Sequence, residues 1–169
     1  ELEKLNSAII NLGKQLHAVT PDFYNFDLLL ITALNRTINV NKAFLDLKKS
    51  NNFIAAAPLV RINLDTLLRI YAGRISNLEI NEFAKKIIFE GKKINNLKST
   101  EKDEKGKLKN LSDNYLKKSL SKREGFEWVE KIYDIGNSYI HLDSRIFFDS
   151  NKIVSKKEKK VALTIGHHD

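Results

Sequence analysis

The chain has 169 residues, of which 42% are hydrophobic and 30% charged, a length and composition typical of one globular domain with a continuous core. It contains no cysteine, which excludes a disulfide framework, a thiolate metal site and a cysteine nucleophile. No apolar run reaches the roughly 18 residues that span a bilayer, and the start at Glu1 lacks the basic and apolar parts of a signal peptide. We therefore expect a soluble, cytoplasmic protein that does not associate with a membrane.

The formal net charge of +8 is concentrated in the middle of the chain. Lysine and arginine outnumber aspartate and glutamate by 9 to 8 in residues 1–84, by 14 to 8 in residues 85–131 and by 6 to 5 in the remainder. Such a surplus favours nucleic acid as a partner, because lysines that neutralise phosphates release counterions and gain affinity without a sequence code. The alternative interpretation is that these lysines form ordinary solvated faces.

Apolar residues recur at helical spacing through the first half of the chain and predict three helices. The first spans residues 2–18 and the second residues 26–49, with a loop at Thr20-Pro21 between them. The third spans residues 53–74, and Asn52 stands where it can cap the first turn. The short connection between the second and third helices predicts an antiparallel helical hairpin.

The second half of the chain predicts shorter elements. Residues 78–96 carry a fourth amphipathic helical pattern, and residues 98–110, with one apolar side chain and Gly106 near the centre, predict a mobile, charged loop. A short helix is predicted to start at Ser112-Asp113, and a last helix is predicted over residues 125–141.

The C-terminal tail differs in character from the rest of the chain. Residues 145–149 and 161–165 are short β-prone runs, separated by a lysine-rich stretch, and they predict a small hairpin. The predicted fold class is all-α: an antiparallel bundle of five to six helices with a small C-terminal β-hairpin. Residues 1–141 form the predicted bundle, and residues 142–169 a β-prone extension of the same domain.

Arginine is scarce, with six residues in the chain, yet four of them lie in the two most apolar helices: Arg36, Arg61, Arg69 and Arg74. Arg61, Asp65 and Arg69 are spaced four apart and form one row, in which Asp65 can pair with both guanidinium groups and a positive charge is left over. A fixed arginine pair binds phosphate or a developing phosphorane because each guanidinium matches two oxygens. The same row also fits an ion-pair strut between helices, and the spacing does not choose between the two.

A second polar row consists of Tyr133, Asn137 and His141, again four apart on the last predicted helix. His141 could take a proton from a ribose 2′-hydroxyl at neutral pH, while Asn137 or Tyr133 orients the imidazole or the phosphate. Capping of the last helical turn by His141 is the structural alternative. Because arginines on an apolar helix need acceptors, we expect Arg61 and Arg69 to lie within reach of this face.

Three segments together resemble a prokaryotic helical family of HEPN-like character: LVRINLDTLLR at 59–69, GKLKNLSDNYL at 106–116 and IYDIGNSYIH at 132–141. The resemblance implies a helical bundle, often dimeric, and for many members RNA cleavage in toxin-antitoxin or antiviral systems. The family's active motif is an arginine, a polar residue and a histidine several residues later. Asn137 and His141 match the last two, whereas Gly136 stands in the place of the arginine and Arg145 follows the histidine.

Two hypotheses from different classes follow. The first is a HEPN-like RNA-interacting module, extending to a metal-independent ribonuclease of a prokaryotic defence or toxin-antitoxin system, with RNA as partner. Its predicted catalytic residues are His141, Asn137, Arg61 and Arg69, and its predicted binding residues are Asp65, Tyr133, Arg36 and Arg145. The second is a non-catalytic protein-interaction or regulatory module of a longer defence protein, with a homodimer or protein partner. The chain has no phosphate-binding glycine loop and no His-Glu-x-x-His motif, so no cofactor or metal is predicted.

Overall fold

The computed structural model describes residues 1–19, 23–141, 152–155 and 160–162, and it confirms an all-α bundle with a small C-terminal hairpin. Each described element runs as follows: α1 Leu2–Val19, α2 Asn25–Lys49, α3 Phe53–Ile75, α4 Ile80–Ile88, β1 Lys98–Lys102, β2 Leu108–Asn110, α5 Asp113–Ser121, α6 Val129–Ile140, β3 Lys152–Ser155 and β4 Lys160–Ala162.

The α2–α3 hairpin is the largest packing unit, and the first three predicted helices agree with the structure to within one residue at each end. The turn between them places Asn51 at φ 56°, a left-handed conformation that asparagine tolerates better than most residues. Asn52 then caps α3, because its side-chain oxygen accepts a hydrogen bond from the Ala55 N–H at 3.2 Å. The predicted antiparallel hairpin is therefore confirmed.

Helix α3 is the centre of the bundle and packs against α2, α4, α5 and α6. One face of α3 supplies the middle of the core, and residues from the later elements close over it. The core cluster contains Leu64, Leu68, Tyr71, Ala72, Phe83, Leu111, Leu116, Leu120, Val129 and Tyr133. Burial of these side chains gives the main stabilisation, about 1.5–3 kcal/mol for each large aliphatic or aromatic residue.

The fourth predicted helix, over residues 78–96, is too long. Helix α4 ends at Ile88, and Gly91 at φ +62° begins a separate turn that leads into a single 3-10 turn at Ile94–Asn96. The amphipathic pattern continues past Ile88, but the left-handed glycine interrupts the backbone hydrogen bonds that a helix requires.

The segment predicted as a mobile loop, residues 98–110, is instead the β1–β2 hairpin. Gly106 lies in its turn at φ +74°, and the Asp103 carboxylate accepts hydrogen bonds from the N–H groups of Lys105 and Lys107, both at 2.9 Å. A bridge between Ser76 and Ser99 attaches the hairpin to the end of α3. The prediction failed because this pairing depends on side-chain turn bonds and not on hydrophobic alternation.

The structure contains both the predicted last helix and a C-terminal β-hairpin, but their residue bounds differ from the predicted ones. Helix α6 begins at Val129, and not at residue 125, because Gly125 adopts φ +81° and turns the chain before the helix starts. The described C-terminal strands are Lys152–Ser155 and Lys160–Ala162, paired antiparallel. The predicted strand at 145–149 lies outside the described residues, so the proposed division at residue 141 stays a prediction.

Among the residues that the structure describes, no helix is both long enough and apolar enough to cross a bilayer.

Candidate functional site

The candidate site lies where α3 and α6 cross, and its centre is the side chain of Arg61. Arg61, in the first half of α3, contacts Asn137 near the end of α6. Gly136 makes this approach feasible: a Cβ atom added to it would lie 2.6 Å from the Cβ of Arg61 and 3.1 Å from its Cγ. Arg61 is 5% exposed, and its aliphatic stem packs directly against the backbone of Gly136, which has no side chain to block the approach.

The guanidinium of Arg61 is engaged on three sides. Its Nε donates a hydrogen bond to Oδ1 of Asn137 at 3.1 Å, and one terminal nitrogen lies 3.0 Å from Oδ1 of Asp65. The plane of the group also lies over the ring of Tyr133, with 3.5 Å from Cζ to the ring centroid. The expectation that Arg61 lies within reach of the Asn137 and His141 face is confirmed at Asn137.

Arg69 is held by two carboxylates. One terminal nitrogen lies 3.5 Å from Oδ1 of Asp65, and the other lies 2.7 Å from Oδ1 of Asp113. Asp113 is the first residue of α5, which is capped by Ser112. The Oδ2 atom of Asp113 accepts a hydrogen bond from the Tyr133 hydroxyl at 3.3 Å. The spare donors of Arg69 therefore reach α5 and not α6, contrary to the expected arrangement.

The left-over positive charge expected of the arginine row is absent. Arg61 and Arg69 carry two positive charges, and Asp65 and Asp113 supply two negative charges within 3.5 Å of them. Asp113 was missed as a partner because it is 44 residues from Arg69 in the sequence and no helical spacing relates them. The four groups form a closed, electrically balanced cluster that ties α3 to α5 and α6.

Tyr133 is the aromatic centre of this cluster and is buried between cations. Besides Arg61, the ammonium of Lys117 lies 4.9 Å from its ring centroid, and that lysine forms an ion pair with Asp134. Burial raises the pKa of the Tyr133 hydroxyl above its ordinary value, while the nearby Arg61 charge acts in the opposite direction. Tyr133 is therefore a neutral donor at physiological pH.

His141 lies at the C-cap of α6, exposed, and its backbone N–H donates a hydrogen bond to the Asn137 carbonyl at 3.0 Å. Within the described residues, its imidazole forms no hydrogen bond or ion pair with Arg61, Arg69 or Asn137. The structure thus brings Asn137 and Tyr133 to the arginine row, but it does not join His141 to that row.

Of the two remaining predicted binding residues, one lies among the residues that the structure describes. Arg36 is exposed on α2 and has no ion pair among the described side chains. Arg145 lies outside the described residues.

A second feature is the β1–β2 hairpin, residues 98–110, which lies in the middle segment and carries five lysines against three carboxylates. Lys102, Lys105 and Lys107 are exposed and form no ion pair with any described residue. Lys109 differs, because it pairs with Glu101 at 3.0 Å, and its hydrogen bond lowers the pKa of that carboxyl. The three free lysines are named the hairpin lysines below.

Comparison of the chain with protein-family models, curated proteins and solved structures gave no match. Over the part of the chain that the structure describes, no three histidine, aspartate or glutamate side chains converge as metal ligands would.

Proposed function

We propose that this chain is an RNA-interacting helical module of HEPN-like character, belonging to a prokaryotic defence or toxin-antitoxin system, and that the hairpin lysines provide its contact with RNA. The observation that carries the proposal is the exposure of Lys102, Lys105 and Lys107 on one hairpin, where none of them pairs with a carboxylate of the described residues. Unpaired lysines attract phosphates because their binding releases condensed counterions. The resemblance of the three sequence segments supports the choice of RNA as the polyanion.

The base of the hairpin is bridged to Ser76 at the end of α3, whereas Arg61, in the first half of α3, bonds Asn137 one turn before His141. The 15 residues from Arg61 to Ser76 correspond to about 22 Å along a helix. Binding by the hairpin lysines and catalysis by His141 are therefore tested separately.

Metal-independent cleavage is the finer form of this proposal, and in it His141 is the acid or base. Arg61 then acts as a positioning residue, because it is buried and holds the Asn137 amide one turn before His141. The proposal does not assign a phosphate clamp to either arginine, since Asp65 and Asp113 already pair with both.

Binding is tested by fluorescence anisotropy with a labelled single-stranded RNA, a matched DNA and an RNA duplex, over 50–300 mM salt. Phosphate contacts predict an affinity that falls linearly with salt on a log–log plot, by about 0.7 in slope for each phosphate neutralised on a single strand. No saturable binding at the lowest salt would refute the proposal.

Cleavage is tested with the same RNA in the presence of a chelator, comparing the wild type with His141→Ala. An exposed cap residue contributes little to the core, so the variant should keep its fold. Loss of cleavage with unchanged RNA affinity supports the catalytic form. Equal cleavage by both proteins, or none by either, restricts the proposal to binding.

The second candidate function, a non-catalytic protein-interaction or regulatory module, is favoured by exposed apolar side chains at the beginning of α3 and the end of α6. Phe53 and Ile54 begin α3 with 58% and 48% exposure, and Ile140 ends α6 with 48%. Exposed apolar groups that form a continuous patch are typical of a contact surface. Light scattering after size exclusion tests for a homodimer, and Phe53→Ser with Ile140→Ser should dissociate it.

A further inference from the structure

The turn that follows α4 exposes a phenylalanine to solvent. Phe89, the first residue after α4, is 65% exposed, more than any other large apolar side chain of the described residues. Ile88 before it is 38% exposed, whereas Phe83 and Ala84 on the inner face of α4 are buried. A Cβ atom added to Gly91 would meet no atom within 4 Å, so the turn lies in open space. The ring of Phe89 is therefore accessible to a partner.

Backbone hydrogen bonds fix the shape of this turn. The Phe89 N–H donates to the Lys85 carbonyl at 2.9 Å, which continues the helical pattern by one residue. The Lys92 N–H donates back to the Lys86 carbonyl at 2.9 Å, and Gly91 between them adopts the left-handed φ of +62°. The backbone that carries Phe89 is thus already ordered, and a partner that binds there has little of the chain to immobilise.

The same turn carries unpaired positive charge. Residues 82–93 contain four lysines and two glutamates, and both glutamates pair with Lys86, at 3.2 and 3.6 Å. Lys92 and Lys93 are exposed and form no ion pair with a described residue. An accessible aromatic ring beside unpaired ammonium groups matches a polyanion that carries flat groups, and single-stranded nucleic acid has both.

We propose that Phe89 stacks on an unpaired base of the RNA while Lys92 and Lys93 contact the flanking phosphates, an inference that rests on the proposed function. Nine residues separate Lys93 from Lys102, which is at most about 32 Å of chain, so one strand of RNA can contact both the turn and the hairpin lysines. Stacking on an aromatic side chain tolerates any base, because every base has a flat face. The turn therefore adds selectivity for single strands without a sequence code.

A duplex and a membrane surface both fit this turn less well. The bases of a duplex are stacked on one another and present no free face to Phe89. Helices that lie in a membrane interface bury a long apolar face, whereas this turn exposes two apolar side chains, Ile88 and Phe89.

Fluorescence anisotropy of the full chain tests the stacking with an unstructured single-stranded RNA, an abasic strand of the same length and an RNA duplex. Phe89→Leu removes the ring and keeps an apolar side chain, and it should bind the single-stranded RNA about fivefold or more weakly, since one base stacked on an aromatic side chain corresponds to about 5- to 150-fold in affinity. Phe89→Tyr keeps the ring and should keep the wild-type affinity. The abasic strand should bind the wild type and Phe89→Leu equally.

Trp128→Leu is the matched control. Trp128 is 47% exposed and has a larger ring than phenylalanine, but residues 122–131 around it balance three lysines or arginines with three glutamates. Trp128→Leu should therefore leave the affinity for single-stranded RNA unchanged, with the three variants folded by circular dichroism.

The stacking proposal is overturned if Phe89→Leu binds the single-stranded RNA as tightly as the wild type does, or if the wild type binds the abasic strand or the duplex as tightly as the single strand. It is also overturned if Phe89→Leu lowers binding to vesicles of equal parts phosphatidylserine and phosphatidylcholine and leaves RNA affinity unchanged, which would assign the turn to a membrane. Phe89→Leu alters no charge and should keep the wild-type salt slope, whereas failure of the proposed function appears as an unchanged slope after loss of the hairpin lysines. The two failures are therefore distinguishable.

Discussion

Arg61 and Arg69 differ in burial although both pair with Asp65, and methionine substitutions of the two should therefore differ in cost. The Arg61 side chain is 6% exposed, and it holds Asn137 and covers Tyr133. The Arg69 side chain is 29% exposed, and its stronger partner Asp113 is 39% exposed. Methionine keeps the length of the hydrocarbon stem in both cases and removes only the charge and the donors.

The expected loss for Arg61→Met is about 2–4 kcal/mol. A hydrogen bond from a charged donor contributes roughly 1.5–3 kcal/mol, and a desolvated cation–π contact about 2 kcal/mol. The net loss of unfolding free energy is smaller than the sum of these contributions, because the methionine variant no longer has the desolvation cost of a buried guanidinium. Arg69→Met should cost at most about 1 kcal/mol, since solvent screens its ion pairs.

Urea unfolding followed by circular dichroism measures both losses. With a slope of about 2 kcal/mol per molar urea, the midpoint should fall by about 1–2 M for Arg61→Met and by about 0.5 M or less for Arg69→Met. Equal shifts of the urea midpoint for the two variants, or a larger shift for Arg69→Met, would show that burial does not determine how much each arginine contributes to stability.

Two further predictions use the same assay. Gly136→Ala should lower the unfolding free energy by about 1–2 kcal/mol, because the cost of overpacking against the Cβ of Arg61 exceeds the gain in helix propensity. Gly13→Ala, whose new Cβ would have Leu34 at 3.9 Å, should raise the unfolding free energy by up to about 1 kcal/mol. A stabilising Gly136→Ala would contradict the close contact between Gly136 and Arg61. Because burial raises the pKa of Tyr133 in the folded state, the stability that depends on its neutral form is complete below about pH 10 and is lost as the pH rises through the folded-state value. The unfolding free energy of the wild type should therefore fall relative to that of Tyr133→Phe between pH 8 and pH 10.5. A difference in unfolding free energy that stays constant over this range would contradict the raised pKa of the buried Tyr133 hydroxyl.

Local signals in the sequence predicted the helices well. The capping position of Asn52 and the start of α5 at Ser112 both agree with the structure, because each depends on neighbouring residues. The two boundaries that failed lie next to glycines with positive φ: α4 ends at Ile88, shortly before Gly91, and α6 begins at Val129, shortly after Gly125. A glycine allows a positive φ but does not require one. Helical periodicity alone cannot distinguish such a glycine from one that remains in a helix.

The candidate site was predicted only in part, for a related reason. Spacing of four placed Arg61, Asp65 and Arg69 on one face, and their need for acceptors predicted the contact with Asn137. Nothing in the spacing predicted Asp113, because tertiary packing alone brings α5 to Arg69. The balance of charge in the cluster, which decides whether it can receive a phosphate, therefore depended on a long-range contact.

The central claim, that RNA is held at the hairpin end of the bundle, is tested by one comparison of salt dependence. One variant replaces Lys102, Lys105 and Lys107 by alanine, and the control replaces three exposed lysines of α2 that form no ion pair with a described residue: Lys42, Lys48 and Lys49. The hairpin variant should lose about 2 from the slope of log affinity against log salt, and the α2 variant should retain the wild-type slope. A slope that falls in the α2 variant and not in the hairpin variant would place RNA on α2 and contradict the account.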